Sequence, residues 1–173
     1  MVVFIGVMGH SGRGKTTLIE KIVSHLVSKG LTVGAIKHSS HQEFDLSGKD
    51  TRRIREAGAE VVVGISRKEI ITLRDTTNNF TSIEQLQDLI VDEVDVIVLE
   101  GFRSLVGKDA SIAKIILAQD LEHLRSWLPG LKGRKIAVLE NTDSKSFYRS
   151  VPLISRGDLT GLLSRIEKEL VPT

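Results

Sequence analysis

Apolar residues fall along this chain in two alternating patterns. The first run, VVFIGVM at residues 2–8, is unbroken, which suits a strand buried on both faces, as in a parallel sheet. Leu18, Ile19, Ile22, Val23, Leu26 and Val27 then recur at the spacing of one helical face, and Gly30 follows as a stop. LTVGAIK reads as a second strand, so residues 2–37 have the length and order of a βαβ unit. Further on, SGKDTRRIREAG has the Ser47/Asp50 spacing of a capping box and closes at Gly58, which predicts another helix. AEVVVGIS and EIITLRD, joined by a polar turn at Arg67-Lys68, predict an antiparallel hairpin. SIEQLQDLI predicts a short helix, and VDVIVLEG a buried strand that ends in an acid and a glycine. The pattern continues as IAKIILA (strand), DLEHLRSWL (helix), KIAVLE (strand) and DLTGLLSRIEKEL, a helix with Leu159, Leu162, Leu163, Ile166 and Leu170 on one face. The alternation predicts an α/β, three-layer fold: a mostly parallel sheet between helices, with an antiparallel hairpin, as one domain over residues 1–173.

Composition narrows this reading. The apolar fraction of 40% and charged fraction of 27% are those of a globular domain, and the chain has no cysteine, which excludes disulfides, thiolate metal sites and cysteine nucleophiles. No apolar run approaches the ~18 residues that span a bilayer, and the N-terminus lacks the features of a secretory signal, so the expectation is a cytoplasmic protein away from membranes. The net charge of +2 is mild, and the few aromatic residues form no base-stacking array, which argues against a nucleic-acid partner.

The candidate chemistry begins between the first strand and the first helix. Gly9-His10-Ser11-Gly12-Arg13-Gly14-Lys15-Thr16 fits G-x-x-x-x-G-K-[ST] at every fixed position and in the strand–loop–helix context that the motif requires. Its glycines let backbone N–H groups turn toward phosphate oxygens, and the helix start from Lys15 through Thr17 adds unpaired donors and the positive end of a dipole. Lys15 supplies charge for the β and γ phosphates, and the Thr16 hydroxyl is suited to Mg²⁺. His10 and Arg13 occupy variable positions, as surface side chains or, for Arg13, a phosphate clamp.

Such a site needs carboxylates at the same edge of the sheet, where parallel strands end. Glu100 ends its strand and qualifies; Asp95 starts the same strand and reads as structural. In IKHSSHQEFDLSGKD the best carboxylate is Asp45, ahead of Glu43 and Asp50, with Asp50 better explained as a helix cap. Lys37, His38 and His41 form a polar cluster for which phosphate or substrate contact, a solvated loop and a zinc site all stand open. Lys49, Arg52, Arg53 and Arg55 suit an anionic ligand or a solvated helix face equally. Asn141 and Asp143 could read a guanine edge or form a polar turn.

GHSGRGKTTL, IKHSSHQEFDLSGKDTRRIREAGA and LEGFR, in this order over about residues 1–103, together resemble the P-loop adapter proteins of molybdopterin-guanine dinucleotide biosynthesis, the MobB family. The remaining residues match only in their pattern of strands and helices. The resemblance implies a P-loop NTPase-type fold, a homodimer, and GTP binding with weak, Mg²⁺-dependent GTPase activity. It also implies assistance to the guanylyltransferase that moves GMP from GTP to molybdopterin, and contact with the molybdopterin-bearing partner. The family motif falls on Gly9 to Thr17, Lys37, His38, His41, Asp45, Gly48-Lys49-Asp50 and Glu100-Gly101-Phe102. On that footing Lys15, Asp45 and Glu100 are the catalytic candidates, and Thr16, Asp45 and Glu100 the metal candidates. The phosphate loop with Lys37, His38 and Gly101 forms the nucleotide contact. Lys114 stands at a lysine of the family, with Ala113 in place of its proline, and Ser47 stands where proline is frequent. The alternative is a P-loop small-molecule kinase, with the basic helix as acceptor site and Asp45 or Glu100 as base. A third reading is a switch whose loops reorder with the γ-phosphate.

Overall fold

The computed structural model describes residues 2–38, 49–74, 80–90, 93–140 and 146–170. The backbone divides into two compact units, Met1–His38 with Thr81–Thr173, and Ser39–Phe80.

The larger unit is built on a seven-stranded sheet. Its strands are β1 (Val3–Met8), β2 (Val33–Lys37), β5 (Val96–Glu100), β6 (Ala113–Ala118), β7 (Lys135–Leu139), β8 (Phe147–Tyr148) and β9 (Val151–Ser155). Their order is β2-β5-β1-β6-β7-β9-β8, and every pairing is parallel except β8 with β9. The helices are α1 (Lys15–Ser28), α3 (Ile83–Gln87), α4 (Arg103–Val106), α5 (Leu121–Trp127) and α6 (Leu159–Leu170). β5 and β6 are buried at every position, as their unbroken apolar runs require when both faces are covered. One face carries Ile5, Val7, Val96, Val98, Ile115, Leu117 and Val138, in a single cluster with Leu18, Ile22 and Leu26 of α1 and Leu162 and Ile166 of α6. Burying each such side chain contributes about 1.5–3 kcal/mol. α1 buries Leu18, Ile22 and Leu26, holds Ile19 and Val23 partly covered, and leaves Val27 exposed, so its buried stripe is narrower than the apolar spacing implied. The helix closes in a Schellman arrangement: Leu31 N–H donates to Leu26 O at 3.2 Å and Gly30 N–H to Val27 O at 2.9 Å.

The strand β9 and its two-residue partner β8 were not legible in the sequence, because Pro152 interrupts the run VPLIS. The ladder to β7 begins only after the proline, at Leu153 opposite Ala137. α3 carries a full capping box, with Ser82 accepting from Gln85 N–H and Gln85 reaching back.

The smaller unit holds α2 (Lys49–Glu56) and the hairpin of β3 (Val61–Ile65) and β4 (Ile70–Arg74), in the register Val61 opposite Arg74 and Ile65 opposite Ile70. Its turn spans residues 66–69, with Ser66 N–H donating to Glu69 O at 2.9 Å. The Thr51 side chain of α2 lies close to Gly64 of β3. On the hairpin face defined by Val61, Val63, Ile65 and Ile70, all four side chains are more than half exposed.

Lys114 is the unusual member of the core, 1% exposed as the second residue of β6. It stands beside Gly6 in register, on the face that Val106 of α4 covers. Its ammonium donates to the carbonyls of Asp109 and, at 2.8 Å, Ile112, so it ties the 107–112 connection to the sheet. Ser111 Oγ donates to Asp109 Oδ1 at 2.6 Å, holding that carboxyl below its usual range. Burial strips Lys114 of hydration and lowers its pKa from 10.5 to about 8, against the opposing pull of Asp109. Between those two values the unfolded chain keeps a proton that the folded chain has released, so stability rises with pH across that window. Urea unfolding from pH 8 upward checks this: the wild type gains stability toward pH 10.5 and Lys114→Met does not, whereas parallel profiles assign the effect elsewhere.

Candidate functional site

The site assembles where parallel strands end. β1 runs into the glycine loop, and α1 starts at Lys15 with Gly14 as its N-cap. Gly14 has φ 69°, a left-handed conformation that costs an L side chain about 1–2 kcal/mol. A Cβ there would also lie 2.2 Å from Nη2 of Arg156, which packs against the loop from the turn after β9. Arg156 Nη1 donates to Glu140 Oε1 at 2.7 Å, and Arg13 Nη1 donates to Glu140 Oε2 at 3.2 Å. Arg13 Nη2 donates to Gln119 Oε1 at 3.0 Å. One carboxylate at the end of β7 therefore joins two arginines that flank the loop. Arg156, Glu140 and Gln119 were not singled out in the sequence, because charged residues at strand ends carry no local signature.

On the other flank the ends of β2 and β5 lie beside β1: Lys37 is opposite Glu100, and Glu100 is opposite Val7, the penultimate residue of β1. Glu100 is 9% exposed, so its carboxylate needs partners. Thr16 Oγ1 donates to Glu100 Oε2 at 3.1 Å, Lys37 Nζ lies 3.7 Å from the same oxygen, and Lys37 Nζ donates to Thr16 Oγ1 at 3.4 Å. Three of the residues predicted from separate motifs thus form one cluster. Half-buried Lys15 donates through Nζ to the His10 carbonyl at 2.9 Å, which holds its charge across the loop.

The turn after Glu100 is strained. Gly101 has φ 92° and Phe102 φ 52°, the second an uncommon conformation for a bulky side chain. The turn is anchored by His38 N–H donating to Glu100 O at 2.9 Å and Gly101 N–H to Val7 O at 3.3 Å. A Cβ at Gly101 would lie 3.2 Å from that of His38, and the His38 and Phe102 rings stand 5.0 Å apart. Lys37-His38 and Glu100-Gly101-Phe102 are therefore two halves of one turn. Asp95 accepts from Thr32 N–H at 2.8 Å, far from this edge, as a structural residue. His41, Glu43, Asp45, Ser47, Gly48, Asn141 and Asp143 lie outside the described residues; Lys49 and Asp50 open α2.

A glycine loop between a central parallel strand and its helix, with a hydroxyl, a carboxylate and two lysines beside it, defines an α/β protein of the P-loop class. Residues 4–139 match the family described as MobB, molybdopterin guanine dinucleotide synthesis protein B, and the chain belongs to that family. The match reaches past residue 103, where the motifs read from sequence ended. The molybdopterin-guanine dinucleotide biosynthesis adapter protein of Haemophilus influenzae is 33% identical over 139 residues, 79% of this chain and 74% of the relative. That of Escherichia coli is 32% identical over 123 residues, 69% of this chain and 67% of the relative. The crystal structure of Bacillus subtilis MobB shares the fold with a TM-score of 0.73 at 22% identity, covering 97% of this chain and 98% of that one. No helix among the described residues is long and apolar enough to cross a membrane.

Substituting Gly14→Ala sets a methyl group against Arg156 in a backbone conformation that disfavours it; the expected loss is about 1–3 kcal/mol in urea unfolding. An unchanged midpoint shows that the loop adapts.

Proposed function

We propose that this protein binds GTP with Mg²⁺ and acts as an adapter in molybdopterin guanine dinucleotide biosynthesis, with slow GTP hydrolysis as an accompanying activity. The observation that supports it is the convergence of Thr16, Glu100 and Lys37 at the start of α1, beside a loop of phosphate-binding type. The residues suit both ligands. Thr16 hydroxyl and Glu100 carboxylate are hard oxygen donors 3.1 Å apart, the donor chemistry of Mg²⁺. The loop from Gly9 to Thr17, with Gly14 lacking a side chain, leads into the N-terminus of a 14-residue helix, a setting for anionic oxygen.

In this reading the N–H groups of the loop and of Thr16 and Thr17 hold phosphate oxygens, and Lys15 turns its ammonium from the His10 carbonyl to the β and γ phosphates. Thr16 and Glu100 would hold the metal; Asp45, the further candidate read from sequence, lies outside the described residues. When bound there, Mg²⁺ would supply neutralisation of phosphate charge and polarisation of the terminal phosphoryl group. Glu100 also orients the attacking water, and Lys37 and His38 contact the nucleotide alongside Gly101. Guanine as the base follows from the family. So do the partners: the guanylyltransferase that joins GMP to molybdopterin, and the molybdopterin-bearing protein. The setting is cytoplasmic, without nucleic acid or membrane.

We further read the protein as a homodimer. The hairpin face of Val61, Val63, Ile65 and Ile70 is a contiguous apolar surface with exposures of 54–77%, and a second copy of this chain would cover it.

Lys15→Ala removes a charge-assisted contact, so GTP affinity falls by about 100-fold in calorimetric titration. An unchanged affinity refutes the nucleotide site. In a purified reaction of transferase, molybdopterin cofactor and GTP, addition of the wild type raises product formation and Lys15→Ala does not; absence of stimulation refutes the adapter role. A double substitution, Ile65→Lys with Ile70→Lys, yields monomers in sedimentation, whereas a persisting dimer places the contact elsewhere.

A further inference from the structure

Four side chains that the nucleotide site does not use gather on its border. His10 is exposed at the second position of the glycine loop. Its ring lies 5.0 Å from that of His123, tilted by 44°, and 5.3 Å from that of Trp127, edge-on at 87°. The Arg103 guanidinium carbon stands 4.1 Å over the centroid of the Trp127 ring. Trp127 is 7% exposed and so forms a floor, while Arg103 is exposed and His123 half-buried above it. Three elements contribute: the loop, the first residue of α4, and α5, whose N-cap Asp120 accepts from His123 N–H at 2.9 Å.

The arrangement restrains a group that normally moves. An arginine at a surface carries about 2 kcal/mol of rotamer entropy, and its planar fork is useful only when oriented. Seating on an indole face fixes the plane through a cation–π contact. What results is an exposed guanidinium over the Trp127 ring, with the His10 imidazole edge-on to the same ring and His123 beside His10; each imidazole is a flat ring with N–H donor capacity. Arginine planes and histidine rings are surfaces on which conjugated heterocycles stack, and the arginine fork matches carboxylate or phosphate. An aliphatic anion would use the charge and waste the rings; a neutral aromatic would do the reverse. The ligand that uses both is a planar heterocycle carrying an anionic group.

Its place is equally specific. Lys15 grips the carbonyl of His10, and Arg103 follows Glu100 by three residues. A ligand here lies beside the glycine loop whose His10 carbonyl holds Lys15.

We propose that His10, Arg103, His123 and Trp127 form a second binding site, next to the phosphate loop, for a planar anionic heterocycle of the pterin class. The choice of pterin rests on the function proposed above. The platform itself does not.

Trp127 is the single tryptophan of the chain, so its emission reports directly on this floor. Wild-type protein is titrated with pterin-6-carboxylate, with and without GTP. Saturable quenching is the expected result. Arg103→Gln, and separately His123→Ala, weaken it by about tenfold through loss of a charge-assisted or stacking contact. Arg103→Lys keeps the charge without the planar fork and recovers little. GTP affinity of Arg103→Gln stays within about twofold of wild type, since the residue lies outside the phosphate site. Absence of saturable quenching, or equal pterin affinity in wild type and both variants, overturns the proposal. It is also overturned if Arg103→Gln weakens GTP while sparing inorganic tripolyphosphate, because the platform then seats the nucleotide's own base. The two readings fail separately. A wild type that quenches with pterin but does not bind GTP defeats the nucleotide site alone; one that binds GTP without pterin quenching defeats this site alone.

Discussion

Glu100 is the constraint on which the rest of the site depends. It ends a strand buried at all five positions, and a carboxylate in that place is costly unless it is partnered. Its partners come from two other segments, Thr16 from the first turn of α1 and Lys37 from the end of β2. Only a parallel arrangement with β5 between β1 and β2 brings all three to one edge. Strand order, register and the start of α1 are thus tied to a single carboxylate. The same requirement explains the turn that follows: the chain must leave β5 at once to keep Glu100 at the edge, and it does so through two consecutive left-handed residues, Gly101 and Phe102.

Most of the framework was legible in the chain. Continuous apolar runs located the buried strands, and helical spacing located α1 and α6, because a sheet covered on both faces admits few other patterns. The phosphate loop was legible because its glycines and its lysine are adjacent in sequence. The neighbourhood of Lys37 and Glu100 was legible only as two motifs; that they face each other is a matter of register, which no single segment encodes. β9 was hidden by Pro152, and the Arg13–Glu140–Arg156 bridge by the distance along the chain between its members. Val27 shows the opposite error, an apolar residue that fits the helical face by spacing and lies exposed.

The two flanks of the loop differ in kind. On the Glu100 side a negative group is shared by a hydroxyl and an ammonium, a constellation open to exchange of partners with an incoming cation. On the Glu140 side a negative group is shared between two guanidiniums, each donating to a different carboxylate oxygen. The loop therefore has a carboxylate on each flank, one partnered by a hydroxyl and an ammonium and one by two guanidiniums, with His10, Arg103, His123 and Trp127 bordering it. The smaller unit has an exposed apolar face of its own on the hairpin.

The seat of Arg156 against Gly14 sets a schedule for biosynthesis. The residue that packs against Gly14 is made only after β9, long after β1 and α1 themselves. A nascent chain holding β1 and α1 alone has the loop without its brace. The contact at Gly14 forms only once β9 is in place, so the finished loop is a product of the completed sheet rather than of the βαβ unit that contains it.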